Sequence, residues 1–462
     1  MSRSRVGKRE VAHQAPAVKT TDSFQNMQAR LGYGANNQTS DSTYGFNPIS
    51  RNRTLLEFMY RGSWMVGVAV DCVADDMTRA GIDFGSTLEP KLAEKLQSLM
   101  CRLLIWQKLN ETIKWARLYG GAIAVMLIDG QQLDTPLNEK AIGNKQFKGL
   151  LVLDRWMVQP SLSTDGLVTE FGPNLGLPKF YTITANAPAL SNQKVHYTRV
   201  LRMDGVNLPY WQKLAENLWG LSIVERLYDR LIAFDSSTTG AAQLVYKAYL
   251  RTVKIEGLRE IISAGGKAFE ALGKNLEFIR ATQSNEGLTV LDAKDEMSFQ
   301  SYTFAGLSDL LTQFGQQISG AVQIPLVRLF GQSPTGMNST GESDLRNYYD
   351  GIREQQEGRL REPLTIMLQI LAQSEGITLP EGFNYEFASL WQMSDKEKAD
   401  VASSVTSSVV QAHDAGIIST PIALQELRQS SAITGIWSNI TNQDIEEAKA
   451  EPPMPDDQPA GA

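Results

Sequence analysis

The sequence predicts an α+β fold rich in helix. Two patterns carry that expectation. Apolar residues recur every three or four positions through much of the second half of the chain, and four short apolar or alternating runs, bounded by turn residues, lie between positions 121 and 203. A third observation sets the scale: of 462 residues, 42% are hydrophobic and 21% charged, enough to bury a large core. Single cores stop growing near about 250–300 residues, so the chain is expected to divide into lobes or to belong to an extended assembly.

In chain order, residues 1–48 are rich in Ser, Thr, Asn, Gln and Gly, which predicts a mobile arm whose basic start (Arg3, Arg5, Lys8, Arg9) is solvated. Arg53–Met77 reads as helical. Gly121–Asp129, Leu150–Val158, Lys179–Thr184 and Val195–Met203 read as strands, giving a mixed α/β lobe over 49–220. Leu218–Leu250 turns helical, with Leu221, Val224, Leu227, Tyr228, Leu231 and Ile232 on one stripe. Residues 251–300 contain shorter elements and several glycines (Gly257, Gly265, Gly266, Gly273, Gly287), as suits a small subdomain inserted between longer helices.

Leu307, Leu310, Leu311, Phe314, Ile318 and Val322 then mark a helix that Pro325 must stop. After a glycine-rich turn, 331–341, a second long helix places Leu345, Tyr349, Ile352, Gln356, Leu360, Leu364, Met367 and Leu371 along one side. Only Gln356 interrupts that stripe, and Pro363, which has no N–H for the carbonyl four residues earlier, predicts a kink. Ser394 as N-cap, with Asp395 and Glu397 in the first turn, opens a helix to about 413 that Gly416 ends; Thr420 caps a shorter one beginning at Pro421. Acidic residues alternate with prolines near the end, predicting an unfolded tail over 444–462 and an ordered body over 49–443.

Forty-four Lys plus Arg against 51 Asp plus Glu leave a net charge of −7, which argues against gripping nucleic acid by neutralising phosphates. Cys72 and Cys101 form no Cys-x-x-Cys pair; they are expected to be reduced, small buried side chains. The longest apolar runs, Trp64–Val70 and Gly121–Ile128, fall far short of the roughly 20 residues that span a bilayer, and no secretory signal is visible, so no membrane partner and a cytoplasmic site of action are expected.

Catalytic patterns fail one by one. The histidines are His13, His196 and His413, too few for a histidine-rich metal site, and no cofactor is implied. Gly336-Met-Asn-Ser-Thr-Gly341-Glu342-Ser343 has the glycine spacing of a P-loop, but Glu342 stands where a lysine must face the phosphates. Gly331-Gln-Ser333-Pro-Thr-Gly336 is one residue too long for a nucleophile elbow. His196-Tyr-Thr198 matches the His-x-Thr element of two-histidine phosphoesterases, yet His413 is followed by Asp-Ala, so the second copy is missing and a structural histidine is expected. No catalytic residue and no enzyme are expected. The eight tryptophans are spread over the ordered body, which suits core and subunit contacts.

One stretch is distinctive: Ile324-Pro-Leu-Val-Arg-Leu-Phe-Gly331-Gln-Ser-Pro-Thr-Gly-Met-Asn338-Ser-Thr-Gly341-Glu342-Ser-Asp344, running into Asn347-Tyr-Tyr-Asp350 and Gln355-Gln356-Glu357. With Tyr60-Arg61-Gly-Ser-Trp64, Asp75-Asp76-Met77-Thr-Arg79 and Val195-His196-Tyr-Thr-Arg199-Val-Leu-Arg202, it resembles the portal proteins of tailed bacteriophages, nearest to the prophage-type branch once known only as a family of unknown function. The resemblance spans nearly all of the ordered body. It implies a portal-like fold with wing, stem, clip and crown regions, assembling as a ring of about twelve subunits around a DNA channel at a capsid vertex. Its implied partners are double-stranded DNA, the terminase large subunit, a head-tail adaptor, and capsid or scaffold protein; its implied place is the virion, after assembly in the bacterial host cytoplasm.

On that plan the wing is 49–220, the stem helix 221–250, the clip 251–300, and the second stem helix with its turn 301–330. A candidate channel loop occupies 331–341, a kinked helix returns to the wing over 342–393, and 394–443 form the crown. Duplex DNA carries a charge about every 1.7 Å, so a sliding duplex suits a neutral or acidic wall with few basic contacts. The candidate channel residues are Arg328, Gln332, Ser333, Thr335, Asn338, Ser339, Thr340 and Arg346. Rival readings are another virion structural protein, such as a capsid or adaptor component, and, further off, a phosphodiesterase or nuclease.

Overall fold

The computed structural model describes residues 48–450 except 86, 186, 188, 248–250, 255, 283–295, 300–305, 332–340 and 392–394, so the predicted amino-terminal arm and the last twelve residues lie outside the description. Asn52 begins the first helix: its side chain accepts the Leu55 N–H at 3.0 Å, capping α1 (Arg53–Gly62). The single helix expected over 53–77 is in fact two. At the Gly62-Ser63 pair, Ser63 takes an extended conformation (φ −109°, ψ 114°), and α2 (Trp64–Arg79) starts in a new direction. The break lets α1 stay at the rim with only Leu56 buried, while α2 runs through the core with Met65, Val66, Ala69, Val70, Val73, Ala74 and Met77 buried. After the short strand β1 (Ile82–Asp83) come two amphipathic helices that the sequence reading passes over, α3 (Pro90–Arg102) and α4 (Ile105–Tyr119). Cys101, on α3, is exposed, contrary to expectation; only Cys72 is buried, because 101 lies on the solvent side of its helix.

The strand β2 (Gly121–Ile128) explains its own lack of polar residues. It is the middle of an antiparallel sheet, β3 (Phe147–Asp154), β2, β7 (Val200–Asp204), and it is covered on both faces. Ala122, Ala124, Met126 and Ile128 point into the helical core, whereas Ile123 and Val125 join a second core with Leu153, Tyr181, Ile183, Val195 and Trp219. That second core lies under a small sheet in the order β4 (Val158–Pro160), β5 (Phe180–Ile183), β6 (Lys194–His196). The one strand expected at 195–203 is therefore two. A 3₁₀ turn at Tyr197–Arg199 separates β6 from β7, and each half pairs with a different sheet. Four glycines permit the crossing beside this sheet: Gly205 and Gly220 both donate to the Gly120 carbonyl at 2.9 Å, and a Cβ on Gly120 (φ 90°) or Gly121 would lie 2.4 Å from the Gly220 oxygen or 2.2 Å from Trp219.

A short helix, α5 (Tyr210–Ala215), leads to the long α6 (Ile223–Lys247). Of its expected stripe, Val224, Leu227 and Leu231 are buried while Ile232 is 47% exposed. Then come β8 (Arg251–Lys254), α7 (Leu258–Ala264), α8 (Gly266–Thr282) and β9 (Glu296–Phe299), with β8 and β9 paired antiparallel so that Arg251 faces Phe299. The chain returns along α6 as α9 (Leu307–Val322), which packs against it. Pro325 ends that run as expected and opens α10 (Leu326–Phe330).

The long helix after the glycine-rich turn is α11 (Glu342–Gln355), a π-helical turn at Gln356–Leu360, and α12 (Arg361–Ser374). Pro363 sits in the first turn of α12; the amide it cannot offer to the Arg359 carbonyl is accommodated by the wider turn just before it, so the expected irregularity lies a few residues earlier. Gln356, the polar residue in the stripe, is buried and gives its amide to the Met77 carbonyl at 2.8 Å, satisfying an acceptor near the end of α2. The strand β10 (Glu386–Phe387) pairs with β1. Last come α13 (Asp395–Asp414), α14 (Thr420–Thr434) and α15 (Asn442–Ala450). The tail expected from 444 is thus helical to 450: the Asp444 carboxylate accepts from the Thr441 N–H and hydroxyl at 2.7 and 2.8 Å, and Ile445 is buried. Among the described residues, no helix is long and apolar enough to cross a membrane.

Candidate channel segment and its anchors

The helices on either side of the candidate loop are bonded to one carboxylate. Asp76 occupies a core position of α2, three residues after Val73, and none of its surface reaches solvent. Arg328, on α10 just before the loop, grips it through Nε (3.2 Å to Oδ2) and Nη2 (3.0 Å to Oδ1). Tyr348, on α11 just after the loop, donates its hydroxyl to Oδ2 at 2.8 Å. Arg79 closes the cluster with Nε 3.0 Å from Oδ1, and the Cys72 thiol lies 3.4 Å from the Tyr348 oxygen. A buried carboxylate is tolerable only when so surrounded.

The electrostatics follow from the packing. The hydrogen bond to Asp76 raises the Arg328 guanidinium further above its ordinary range, and burial followed by the nearby Cys72 and Asp76 pushes the Tyr348 hydroxyl far upward. Burial also raises the Cys72 thiol, so it is no nucleophile at neutral pH. The loop itself is bracketed by glycines in the left-handed region, Gly331 (φ 66°) at the end of α10 and Gly341 (φ 70°) before α11.

Of the eight candidate channel residues, Gln332, Ser333, Thr335, Asn338, Ser339 and Thr340 lie outside the described residues, as do the elbow-like Ser333 and most of the P-loop-like run. Glu342, whose carboxylate rules out a P-loop, is the first residue of α11, where a negative charge favours the helix terminus. Arg346 sits one turn into α11, away from Arg328. Its guanidinium stacks over Trp391 at 4.7 Å and stands 3.7 Å from Glu397 of α13, on the rim of an open cleft of about 610 Å³ that also includes Arg353 and Phe387. Sequence reasoning missed Asp76 as the common anchor, although an acidic residue at a buried stripe position of an apolar helix was a signal it contained.

The histidines do not meet. His196 is buried in the small sheet, and its Nδ1 lies 2.9 Å from the Thr198 hydroxyl, so the His-x-Thr element closes on itself across the 3₁₀ turn. Burial, then Lys179 and Arg199, lower its pKa. His413 belongs to α13 and bonds the Thr420 hydroxyl at 3.0 Å. Among the described residues, no three His, Cys, Asp or Glu side chains are placed to hold a metal ion.

Comparison with known proteins agrees with this architecture. An uncharacterized protein of Haemophilus influenzae is 28% identical over 432 residues, covering 93% of each chain. An anti-CBASS protein Acb1 of Caulobacter sp. is 28% identical over 394 residues, covering 82% of this chain; this chain spans 61% of that relative's length. A chain from the neck of an empty GTA particle, determined with C6 symmetry, shares the fold at 13% identity, with a TM-score of 0.50 over 85% of this chain and 96% of that one. The model of the phage portal protein family matches residues 55–411, from α1 through most of α13, including the Asp76 cluster and both helices that flank the candidate loop. With that match over most of its length, the chain belongs to the phage portal protein family.

Proposed function

We propose that a ring of about twelve copies of this chain forms the opening at one capsid vertex through which double-stranded DNA is packaged and ejected. The observation that carries this reading is the family match over residues 55–411, and the fold shared with a neck protein supports it. The ring assembles in the host cytoplasm before it joins the virion. The terminase motor and a head-tail adaptor dock at the clip, 251–300, and capsid or scaffold protein meets the outer wing. In this reading the segment 331–341 meets the duplex, and the helices before and after it carry Arg328 and Tyr348, both bonded to Asp76. A net charge of −7 suits a wall that lets DNA slide.

Light scattering with negative-stain imaging of the purified protein tests this directly. The expected particles are rings of about twelve subunits with a central opening of roughly 20 Å or more. Closed shells would instead favour a capsid role, and small stacked rings lacking such an opening an adaptor role.

The chain has a structural rather than a catalytic role in this reading. A phosphodiesterase reading draws on His196-Tyr-Thr198 and on the likeness to the anti-CBASS protein, whose length extends well beyond the shared part. The imidazole of His196 is buried and occupied by its own Thr198. The expected result with bis(p-nitrophenyl) phosphate is no turnover; hydrolysis that disappears in His196→Ala would restore the enzyme reading.

A further inference from the structure

Several arginines of this chain are ion-paired: Arg155 with Glu216, Arg202 with Asp204, Arg328 with Asp76 and Arg361 with Glu357. Three that are not, the half-buried Arg117 and the exposed Arg226 and Arg359, border one cavity. Arg117 from α4, Arg226 from α6 and Arg359 from the π-turn line an opening of about 730 Å³ behind α11. Among the described residues, none of the three has a carboxylate within ion-pair distance, and Glu354 is the one acidic side chain in the lining.

Arg117 forms the floor. Its Nη2 donates to the Ala69 carbonyl at 2.7 Å, but its Nε is buried with no partner at all, a rare condition for a charged donor. Arg359 approaches from above, holding the Gly205 carbonyl through Nη1 at 3.2 Å with its remaining donors unassigned. Burial chiefly, with the Arg359 charge adding to it, lowers the Arg117 guanidinium to about 10. Asn207 and Asn347 add neutral donors to the lining.

We propose that this cavity is a binding site for an oxyanion of the phosphate class. Guanidinium forks arriving from three separate elements suit an acceptor with oxygens on several sides and more than one negative charge; a carboxylate satisfies a single fork. The volume exceeds that of one inorganic phosphate and admits a phosphoester. The same chemistry is offered by a free phosphate or nucleotide and by a backbone phosphate of DNA.

Calorimetric titration of the full chain with inorganic pyrophosphate, at constant ionic strength against chloride, tests the site. Saturable binding is expected, weakened about tenfold or more in Arg226→Gln and in Arg359→Gln. Both of those side chains are exposed, so the variants should fold even if Arg117→Gln does not. Without ligand their thermal midpoints should hold or rise, since each removes a repelling charge. A short DNA duplex that displaces pyrophosphate with the same variant dependence assigns the site to a strand phosphate, and one that fails to displace it assigns the site to a free anion. Absence of saturable binding, or binding undiminished in both exposed variants, overturns the proposal.

Discussion

Asp76 shows how a single side chain can tie together helices far apart in the sequence. Removing its partners leaves a charge in a dry interior, and Arg328→Glu does worse by placing a second carboxylate against it. Because Arg328 is partly solvated and Arg79 remains, the expected loss is about 2–3 kcal/mol, below the full value for a buried pair. Tyr348→Phe removes one donor and should lose about 1–3 kcal/mol. Urea unfolding measures both, and an Arg328→Glu variant as stable as the parent would falsify the anchor. Arg346→Glu, whose partner Glu397 is exposed, should change stability by less than about 1 kcal/mol, which makes it the cleaner probe of DNA retention. His196 supplies a pH signature. Its folded pKa lies below the ordinary 6.5, so the unfolded chain takes up protons first, and stability is present above that value and is lost as pH falls from about 6.5 toward the folded pKa. The slope of urea midpoint against pH between 7.5 and 5.5 should flatten in His196→Asn. Much at this scale was readable from the sequence, but its meaning was not: Asp76 and Gln356 were visible as polar residues in apolar stripes, whereas the partners that make them tolerable, Arg328 and the Met77 carbonyl, are more than 250 positions away.

At the scale of elements, what the sequence told plainly was whatever depends on neighbours in the chain. Pro325 stops a helix by its own chemistry, and the two-sided burial of β2 is written in its unbroken apolar run. The switch between sheets at Tyr197–Arg199 was not readable, since an alternating run looks the same whether one partner or two receive it. The π-turn lies between these cases. Ile352, Gln356, Leu360 and Leu364 are spaced by four each time, and on an α-helix of 3.6 residues per turn such a row drifts by about 40° per step. A wider turn keeps them on one face, so the repeated fours were themselves a sign of it. Substituting Gln356→Leu should leave the Met77 carbonyl unsatisfied and lower stability by about 1–3 kcal/mol, despite adding apolar surface. A gain in urea midpoint for that variant would mean the hydrogen bond contributes nothing.

For the molecule as a whole, exposed apolar side chains are spread along the chain, and several of them share one pair of helices. Ile262 on α7 is 54% exposed and Phe269 on α8 53%, and Leu258 and Leu276 add to the same pair of helices. In the proposed ring such surface is expected to be covered by a neighbouring subunit. Ile262→Asp with Phe269→Asp should shift the population from rings to smaller species in light scattering while leaving the protomer's unfolding midpoint within about 0.5 kcal/mol of the parent. Unchanged rings would place the subunit contact elsewhere.

The pairing of Arg251 with Phe299 also bears on how such a chain can change over time. Because the strands on either side of residues 255–295 are zipped to each other, whatever lies between them is closed off at its base, and loop-closure entropy grows only slowly with added length. A longer, shorter or wholly foreign tip can be grafted there without asking the helical core or the three-stranded sheet to shift. The body of the protein is in that sense a fixed socket, and the segment between the two strands is an exchangeable fitting.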